Sequence, residues 1–210
     1  MSMTGNVLGT RAFGCLLTSS KSGLRRQYVC MTAVAACLVL GVMPAAAQSS
    51  KPGEYEVKAA YLYNFGKFIA WPPRSGAPQA KWFEICVVGQ DPFGPALNLT
   101  LADEKIDGKR VTVKRVPSAQ DATHCQVLFI GLSEEHQLTE ILAALDGSTV
   151  LTVSDMPQFS RRGGMVQFVL DGSKVRFEIN LASAERAGLI LSSELLKLAV
   201  NVRTNPTPGD

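Results

Sequence analysis

The residues of this 210-residue chain that could do chemistry are few and widely spaced. Neither of its two histidines, His124 and His136, accompanies a nucleophile motif such as G-x-S-x-G. His124 precedes Cys125, but adjacent residues of a strand point to opposite faces, so the two do not form a thiolate–imidazole pair. The spacing typical of zinc ligands is also missing. The sequence therefore predicts no catalytic residue, no metal and no cofactor, and we expect a protein that is not an enzyme.

Two carboxylates stand where a ligand could bind. Asp91 follows an apolar strand predicted from Phe83 to Gly89, and Asp155 follows a later strand. Open α/β sheets bind ligands at the carboxyl ends of parallel strands, so Asp91 and Asp155 form a candidate ligand edge. Residues 89–94 lack the G-x-G start of a dinucleotide site. A cation could bridge the two carboxylates, but Asp before a helix is far more often a simple cap.

The first 47 residues are predicted to be a cleaved secretory signal peptide, which sends the mature protein to an oxidising compartment outside the cytoplasm. Arg25 and Arg26 precede an apolar stretch, and small residues end it at Ala47. Four of the 21 Lys and Arg residues lie in this leader, which has no acidic residue, so the remainder is nearly neutral and has no nucleic-acid footprint. We expect a short linker over 48–53, one domain over 54–203 and a disordered tail over 204–210.

The predicted leader also determines which cysteines remain in the exported part. Three of the five cysteines lie in the predicted leader, and only Cys86 and Cys125 remain in the exported part. Two thiols in one small domain of an oxidising compartment are usually bridged, so we predict a disulfide between them. The alternative is that both are buried in neighbouring strands as small apolar residues.

The first helix predicted after the leader is unusually rich in aromatic residues. It is predicted from Glu54 to Ala70 and is followed by Trp71-Pro72, which cannot continue it. Its apolar residues cover more than one face, so it is either packed between the sheet and another helix or partly an interface. Tyr and Phe are enriched in interfaces. The candidate interface residues for a homodimer or partner are Tyr55, Tyr61, Phe65, Phe68 and Trp71.

The remaining pattern predicts an α/β fold, a three-layer sandwich with a mainly parallel sheet and a C-terminal antiparallel hairpin. Strands alternate with helices up to residue 153, which requires parallel strands and crossover connections. Asp171-Gly172-Ser173 then lies between two strands as a hairpin turn. The predicted strands are Phe83–Gly89, Arg110–Val116, Cys125–Ile130, Thr149–Val153, Met165–Leu170 and Lys174–Asn180, and the later helices are Phe93–Leu101, Glu134–Leu145 and Ser193–Val202.

Several segments resemble the YfiR family of periplasmic regulators. The similar segments are Y-x-V-K-A-A-Y-L-Y-N-F-x-K-F-I-x-W-P at 55–72, I-C-V-V-G-x-D-P-F-G at 85–94, residues 163–168, and R-F-E-I-N-L with L-L-K-L-A between 176 and 199. Together they span nearly the whole exported part. The family's redox-sensitive cysteine pair matches Cys86 and Cys125, whereas its second disulfide has no counterpart here.

The resemblance implies a homodimeric α/β sandwich that holds a membrane-bound diguanylate cyclase inactive through its periplasmic sensor domain. Release by an outer-membrane lipoprotein or by a redox change would then raise cyclic di-GMP and promote biofilm formation. The alternative is a periplasmic sensor module that binds a small ligand and has no cyclase partner. In either case we expect no integral membrane segment in the mature chain and no nucleic acid.

Overall fold

A computed structural model of the chain describes residues 53–72 and 81–204. These residues belong to one compact unit, which spans Lys51–Asp210. The predicted signal peptide, nearly all of the linker and most of the tail lie outside the described residues. The domain boundaries therefore stay predictions.

The longest helix in the described part of the chain is α1, Glu54–Phe68, and it begins where the sequence predicts. The Gly53 amide donates a hydrogen bond to Glu56 Oε2 at 3.0 Å, which satisfies one of the free N–H groups of the first turn. The helix ends at Phe68, two residues earlier than predicted, because Ile69 and Ala70 enter a strand. The other helices are α2 (Pro95–Thr100), α3 (Leu138–Ala144), α4 (Leu181–Arg186) and α5 (Ser193–Leu198), with 3₁₀ turns at Gln120–Ala122, Leu132–Gln137 and Phe159–Arg162.

Ten strands form a two-stranded ribbon and an eight-stranded sheet in the described part of the chain. They are β1 (Ile69–Ala70), β2 (Trp82–Val88), β3 (Lys105–Ile106), β4 (Lys109–Val116), β5 (Val127–Ile130), β6 (Leu151–Ser154), β7 (Val166–Asp171), β8 (Lys174–Asn180), β9 (Ile190–Leu191) and β10 (Asn201–Arg203). β1 pairs with β9 in the ribbon, and the order in the large sheet is β10-β8-β7-β6-β5-β2-β4-β3.

The parallel part of the large sheet runs from β4 through β2, β5 and β6 to β7. Antiparallel hairpins close both sides, β3–β4 at one and β7–β8 at the other. Asp107 and Gly108 form the first turn, and both have positive φ, which a tight turn of this kind needs. The predicted α/β sandwich with a mainly parallel sheet and a C-terminal hairpin is therefore confirmed.

Two hydrophobic cores cover the two faces of the sheet. Alternate residues of β2 separate between them, since Ile85 and Val87 belong to the core under α1 while Cys86 and Val88 belong to the core under α3. β5 divides in the same way. The central strands are thus buried on both faces, which explains why they are continuous apolar runs in the sequence.

Two predicted helix starts are wrong in detail. Asp91 does not cap α2, which begins at Pro95 after Gly94. Instead, Asp91 Oδ1 accepts a hydrogen bond from the Phe93 amide at 2.8 Å within the preceding bend. Ser133 does not cap a continuous α-helix either, because residues 132–137 form a 3₁₀ segment before α3. Its hydroxyl has a partner in another loop.

The predicted last helix is too long, and short elements of the C-terminal half were missed. α5 ends at Leu198, and Asn201–Arg203 form β10, which pairs in parallel with the open side of β8. The Val200 amide already donates to Phe177 O at 2.9 Å, so main-chain pairing wins over the local helical pattern. The sequence pattern also gave no indication of β1, β3, α4 or β9.

Candidate functional site

The order in which successive parallel strands are added to the large sheet reverses at β2. β4 lies on one side of β2, and the next parallel strand, β5, lies on the other side. In open α/β sheets the crevice outside the carboxyl ends of two such strands is the usual place for a ligand. The loops after β2 and β5 therefore mark the candidate site.

These two loops are in direct contact. The Gln90 amide donates a hydrogen bond to Ser133 Oγ at 2.9 Å. A Cβ on Gly131 would lie 2.6 Å from Gln90 O, so this approach requires glycine. The contact holds the floor of the crevice together.

A cavity of about 670 Å³ opens above this contact, and we call it the edge cavity. One wall is the first turn of α1, with Glu54, Tyr55 and Lys58. The opposite side consists of the loops after β2, β5 and β6, and β7 closes the end. Of the two predicted edge carboxylates, Asp155 lines the cavity whereas Asp91 is not among its lining residues.

A buried lysine is among the residues that line the edge cavity. The side chain of Lys58 is only 3% exposed, and its ammonium group lies 2.7 Å from Asp155 Oδ2. The same ammonium pairs with Glu54, one helical turn earlier. The Tyr55 hydroxyl donates a second hydrogen bond to Asp155 Oδ2 at 3.0 Å. This arrangement compensates a charge that would otherwise be costly to bury.

The environment shifts the pKa values of two of these groups. Burial opposes the charge of Lys58, but its hydrogen bonds to Asp155 and Glu54 outweigh that effect, so the pKa of Lys58 is raised. Burial, together with the charge and hydrogen bond of Asp155, raises the pKa of Tyr55. Lys58 is consequently a protonated ammonium at neutral pH. It cannot act as an amine nucleophile in this state, and its role is electrostatic.

Sequence reasoning missed Lys58. The residue sits between Val57 and Ala59 in a helix that is apolar on more than one face, so a lysine at this position had to be buried or at an edge. A buried cation requires an acidic partner. That signal was available, but the partner, Asp155, lies 97 positions away in the sequence and only the fold brings it close.

Asp91 has a different role from the one predicted. Its Oδ2 accepts hydrogen bonds from the Nε and a terminal nitrogen of Arg115, at 2.9 and 2.7 Å. Arg115 also donates to Asn98 Oδ1, and these contacts tie the end of β4 to α2. Within residues 53–72 and 81–204, no group of three or more His, Cys, Asp and Glu side chains is arranged to hold a metal ion.

The predicted disulfide is confirmed on the opposite face of the sheet. Cys86 and Cys125 are bonded with their Cα atoms 6.1 Å apart, within the normal range for a disulfide. Both residues are buried in the core under α3. The bond joins the middle of β2 to the segment that enters β5.

The five candidate interface residues have unequal positions. Phe65 is fully buried, and its ring contacts those of Phe168 and Phe177. Tyr55, Tyr61 and Trp71 are half-buried, and their rings pack on Phe93, Phe177 and Phe83. Phe68 is 40% exposed at the end of α1. Among these five side chains, Phe68 therefore presents the most accessible ring.

Comparisons with known proteins agree with this architecture. A family model described as YfiR/HmsC-like matches residues 55–200. A conserved domain protein of Vibrio cholerae O1 biovar El Tor has a similar fold, with a TM-score of 0.50 and 14% identity over 73% of this chain. The match covers 62% of the Vibrio protein, so the chain spans less than two thirds of that relative.

A more distant match is the ABC domain from Streptococcus pneumoniae solved in complex with L-Trp. Its TM-score is 0.42 and its identity 12%, over 57% of this chain and 55% of that one. Such a likeness carries no functional argument. Separately, no helix among residues 53–72 and 81–204 is long and apolar enough to cross a membrane.

Proposed function

The chain belongs to the YfiR/HmsC-like family, and on this basis we propose that it is a periplasmic protein that represses an inner-membrane diguanylate cyclase. Members of this family regulate diguanylate cyclase signalling. Repression takes place by binding to the cyclase's periplasmic sensor domain, which lowers cyclic di-GMP and limits biofilm formation. The observation that carries the proposal is the extent of the family match, since residues 55–200 include nearly all of the described structure.

The surface best suited to association lies at the β1–β9 ribbon. Ile190 is 70% exposed and stands directly opposite Ala70, which is exposed as well. Phe68 precedes Ala70 by two residues, and its carbonyl accepts a hydrogen bond from the Ser192 amide at 2.9 Å. Exposed apolar side chains on one ribbon are typical of an association surface. We assign this ribbon to the homodimer contact.

The repressor proposal is tested by reconstitution with a cyclase. The mature protein, residues 48–210, is mixed with the purified sensor domain of a candidate transmembrane cyclase, and binding is measured by pull-down and calorimetry. Cyclase activity is then followed in membranes at increasing repressor concentration. We expect saturation at a fixed ratio of the two proteins. Absence of binding, with activity unaffected, would contradict the proposal and fit the alternative of a ligand-binding module.

The homodimer surface needs its own test. Phe68→Glu and Ile190→Glu should shift the protein toward the monomer in analytical ultracentrifugation while leaving the thermal unfolding midpoint nearly unchanged. Leu99→Glu is the matched control, because Leu99 is equally apolar and exposed but lies on α2. If the two ribbon variants stay as oligomeric as the control, the dimer contact lies elsewhere.

Release of the repressor is the remaining part of the proposal. We propose that an outer-membrane lipoprotein or reduction of the Cys86–Cys125 bond frees the cyclase. The bond is buried, so a reductant gains access only when the segment around Cys125 opens. Cyclase activity measured with and without dithiothreitol, in wild type and in Cys86→Ala/Cys125→Ala, separates redox release from lipoprotein release.

A further inference from the structure

The edge cavity lies apart from the β1–β9 ribbon, since no residue of that ribbon lines it. It lies at the sheet's reversal point and has a volume within the range of small-molecule sites, about 300 to 1,000 Å³. Its walls combine apolar side chains with a small number of convergent polar groups, as such sites do. We propose that the edge cavity binds a small organic cation, an amine carried on an apolar or aromatic body.

The charges that line the cavity favour a cation. Glu54 and Asp155 contribute two carboxylates and Lys58 one ammonium, so the lining carries a net negative charge at neutral pH. Within the part of the chain that the structure describes, Lys58 and Tyr55 both donate to Asp155 Oδ2. A carboxylate has about four acceptor positions over its two oxygens, so Oδ1 can accept further hydrogen bonds. Glu54 is exposed and can turn its second oxygen toward a ligand.

An anion is less suited to the same place. The ammonium of Lys58 is already engaged by two carboxylates, which would repel an incoming negative charge at short range. The N-terminus of α1 would ordinarily attract an anion. Its first turn already contains Glu54 and Glu56, and the Glu56 carboxylate accepts the Gly53 amide. The favourable position at the helix N-terminus is therefore taken.

Apolar side chains at the same cavity specify the rest of the ligand. Leu132 and Leu170 line it and are 57% and 58% exposed, respectively. Pro92 and Phe168 also contribute to the lining. An aromatic or branched aliphatic group would remove part of this apolar surface from water, which is the main source of affinity for a small ligand. The amine and the apolar body would thus be bound by different sides of the cavity.

The test compares three probes of similar shape and different charge on the mature protein. They are 2-phenylethylamine, 3-phenylpropionate and 2-phenylethanol, and binding is measured by calorimetry and by chemical-shift changes at Lys58 and Asp155. We expect the amine to bind at least about tenfold more tightly than the other two. Equal affinities, preference for the carboxylate, or no binding by any probe would overturn the proposal.

Two charge variants on the same helix locate the effect. Glu54→Gln should weaken amine binding severalfold and leave 2-phenylethanol unaffected. Glu56→Gln is the matched control, because it removes the same charge two residues further along α1, yet Glu56 does not line the cavity. Both residues are exposed, so neither variant should unfold the protein. Equal weakening in both variants would show that only the general charge of α1 matters, and would refute the site.

Cyclase repression is measured on the same two variants. The amine site does not depend on the identity of the partner. If the amine does not bind but repression is intact, only the amine site is refuted. If repression fails but the amine binds, only the proposed function is refuted.

Discussion

The two faces of the sheet are stabilised in different ways. The core under α1 contains six buried phenylalanines, among them Phe65, Phe129 and Phe177, which contact one another or their aromatic neighbours edge to face. The core under α3 is smaller and mostly aliphatic, with Phe159 as its one buried phenylalanine. Only this second face carries the disulfide.

The difference shows how a small domain can combine packing and covalent bonding. Aromatic side chains bury large areas and hold the α1 face by packing, at about 25 cal/mol per Å² of apolar surface. The α3 face buries fewer large side chains, and the disulfide compensates by restricting the unfolded chain. A change of redox state should therefore act on one face and leave the other largely intact.

Truncation of the central aromatic residue should be the most damaging single change. Phe65→Ala removes a fully buried ring between Phe168 and Phe177 and should lower the free energy of unfolding by about 3 to 5 kcal/mol. Urea denaturation followed by far-UV circular dichroism measures the loss. Phe68→Ala on the same helix is the control and should cost less than about 1 kcal/mol, since its ring is partly in water. Similar losses in the two variants would mean that α1 does not separate core from surface in this way.

Removal of the disulfide should be nearly as costly but more local. The bond closes a loop whose ends are 39 positions apart, which corresponds to about 3 to 4 kcal/mol in the chain-entropy model. We expect Cys86→Ala/Cys125→Ala to lose that amount in urea denaturation. Hydrogen exchange should then increase in β5 and α3 before it increases in α1. Uniform loss of protection on both faces would contradict the division into two independent faces.

Breaking the buried ion pair should have an intermediate effect on the α1 face. Removing one partner of a buried pair costs about 3 to 5 kcal/mol. Asp155→Asn should cost somewhat less, about 2 to 3 kcal/mol, because Lys58 keeps Glu54 as a partner. Asp91→Asn is the matched control, since its partner Arg115 is partly exposed and such pairs contribute less than about 1 kcal/mol. Equal losses would show that burial of Lys58 does not set the strength of the pair.

The smallest effect should appear only at high pH. The folded protein raises the pKa of Lys58 above its ordinary value of 10.5, so the stabilisation is complete below that pH and is lost as the pH rises through the folded value. The raised pKa of Tyr55 acts in the same direction. The free energy of unfolding, measured from neutral pH to above about pH 10.5, should fall less steeply in Asp155→Asn than in wild type. An identical slope in the two proteins would show that the ion pair is not the cause of the pH dependence.

Several features of the fold and the site were predictable from the sequence because they depend on local chemistry. The apolar run that ends at Val88 predicted a buried strand. The turn at Asp171-Gly172-Ser173, together with the alternation along β8, predicted a hairpin. A predicted export signal, with two cysteines after it, indicated the Cys86–Cys125 bond. The end of a predicted strand placed Asp155 at the carboxyl edge of the sheet, where it lines the edge cavity. Each of these predictions follows from hydrophobic periodicity, turn preference or cellular compartment. Signals of this kind are contained in a single segment of the sequence.

Other features were decided by the tertiary structure. Asn201–Arg203 form a strand because the side of β8 was open to pairing, although the local pattern continues a helix. Asp91 faces Arg115 rather than Asp155 because β4 lies next to β2. Lys58 lines the edge cavity as a buried ammonium because folding brings the carboxylate of Asp155 to the start of α1. A sequence pattern specifies which residues are apolar and how often they recur, whereas the partner of a buried charge is set by contacts between residues far apart in the chain.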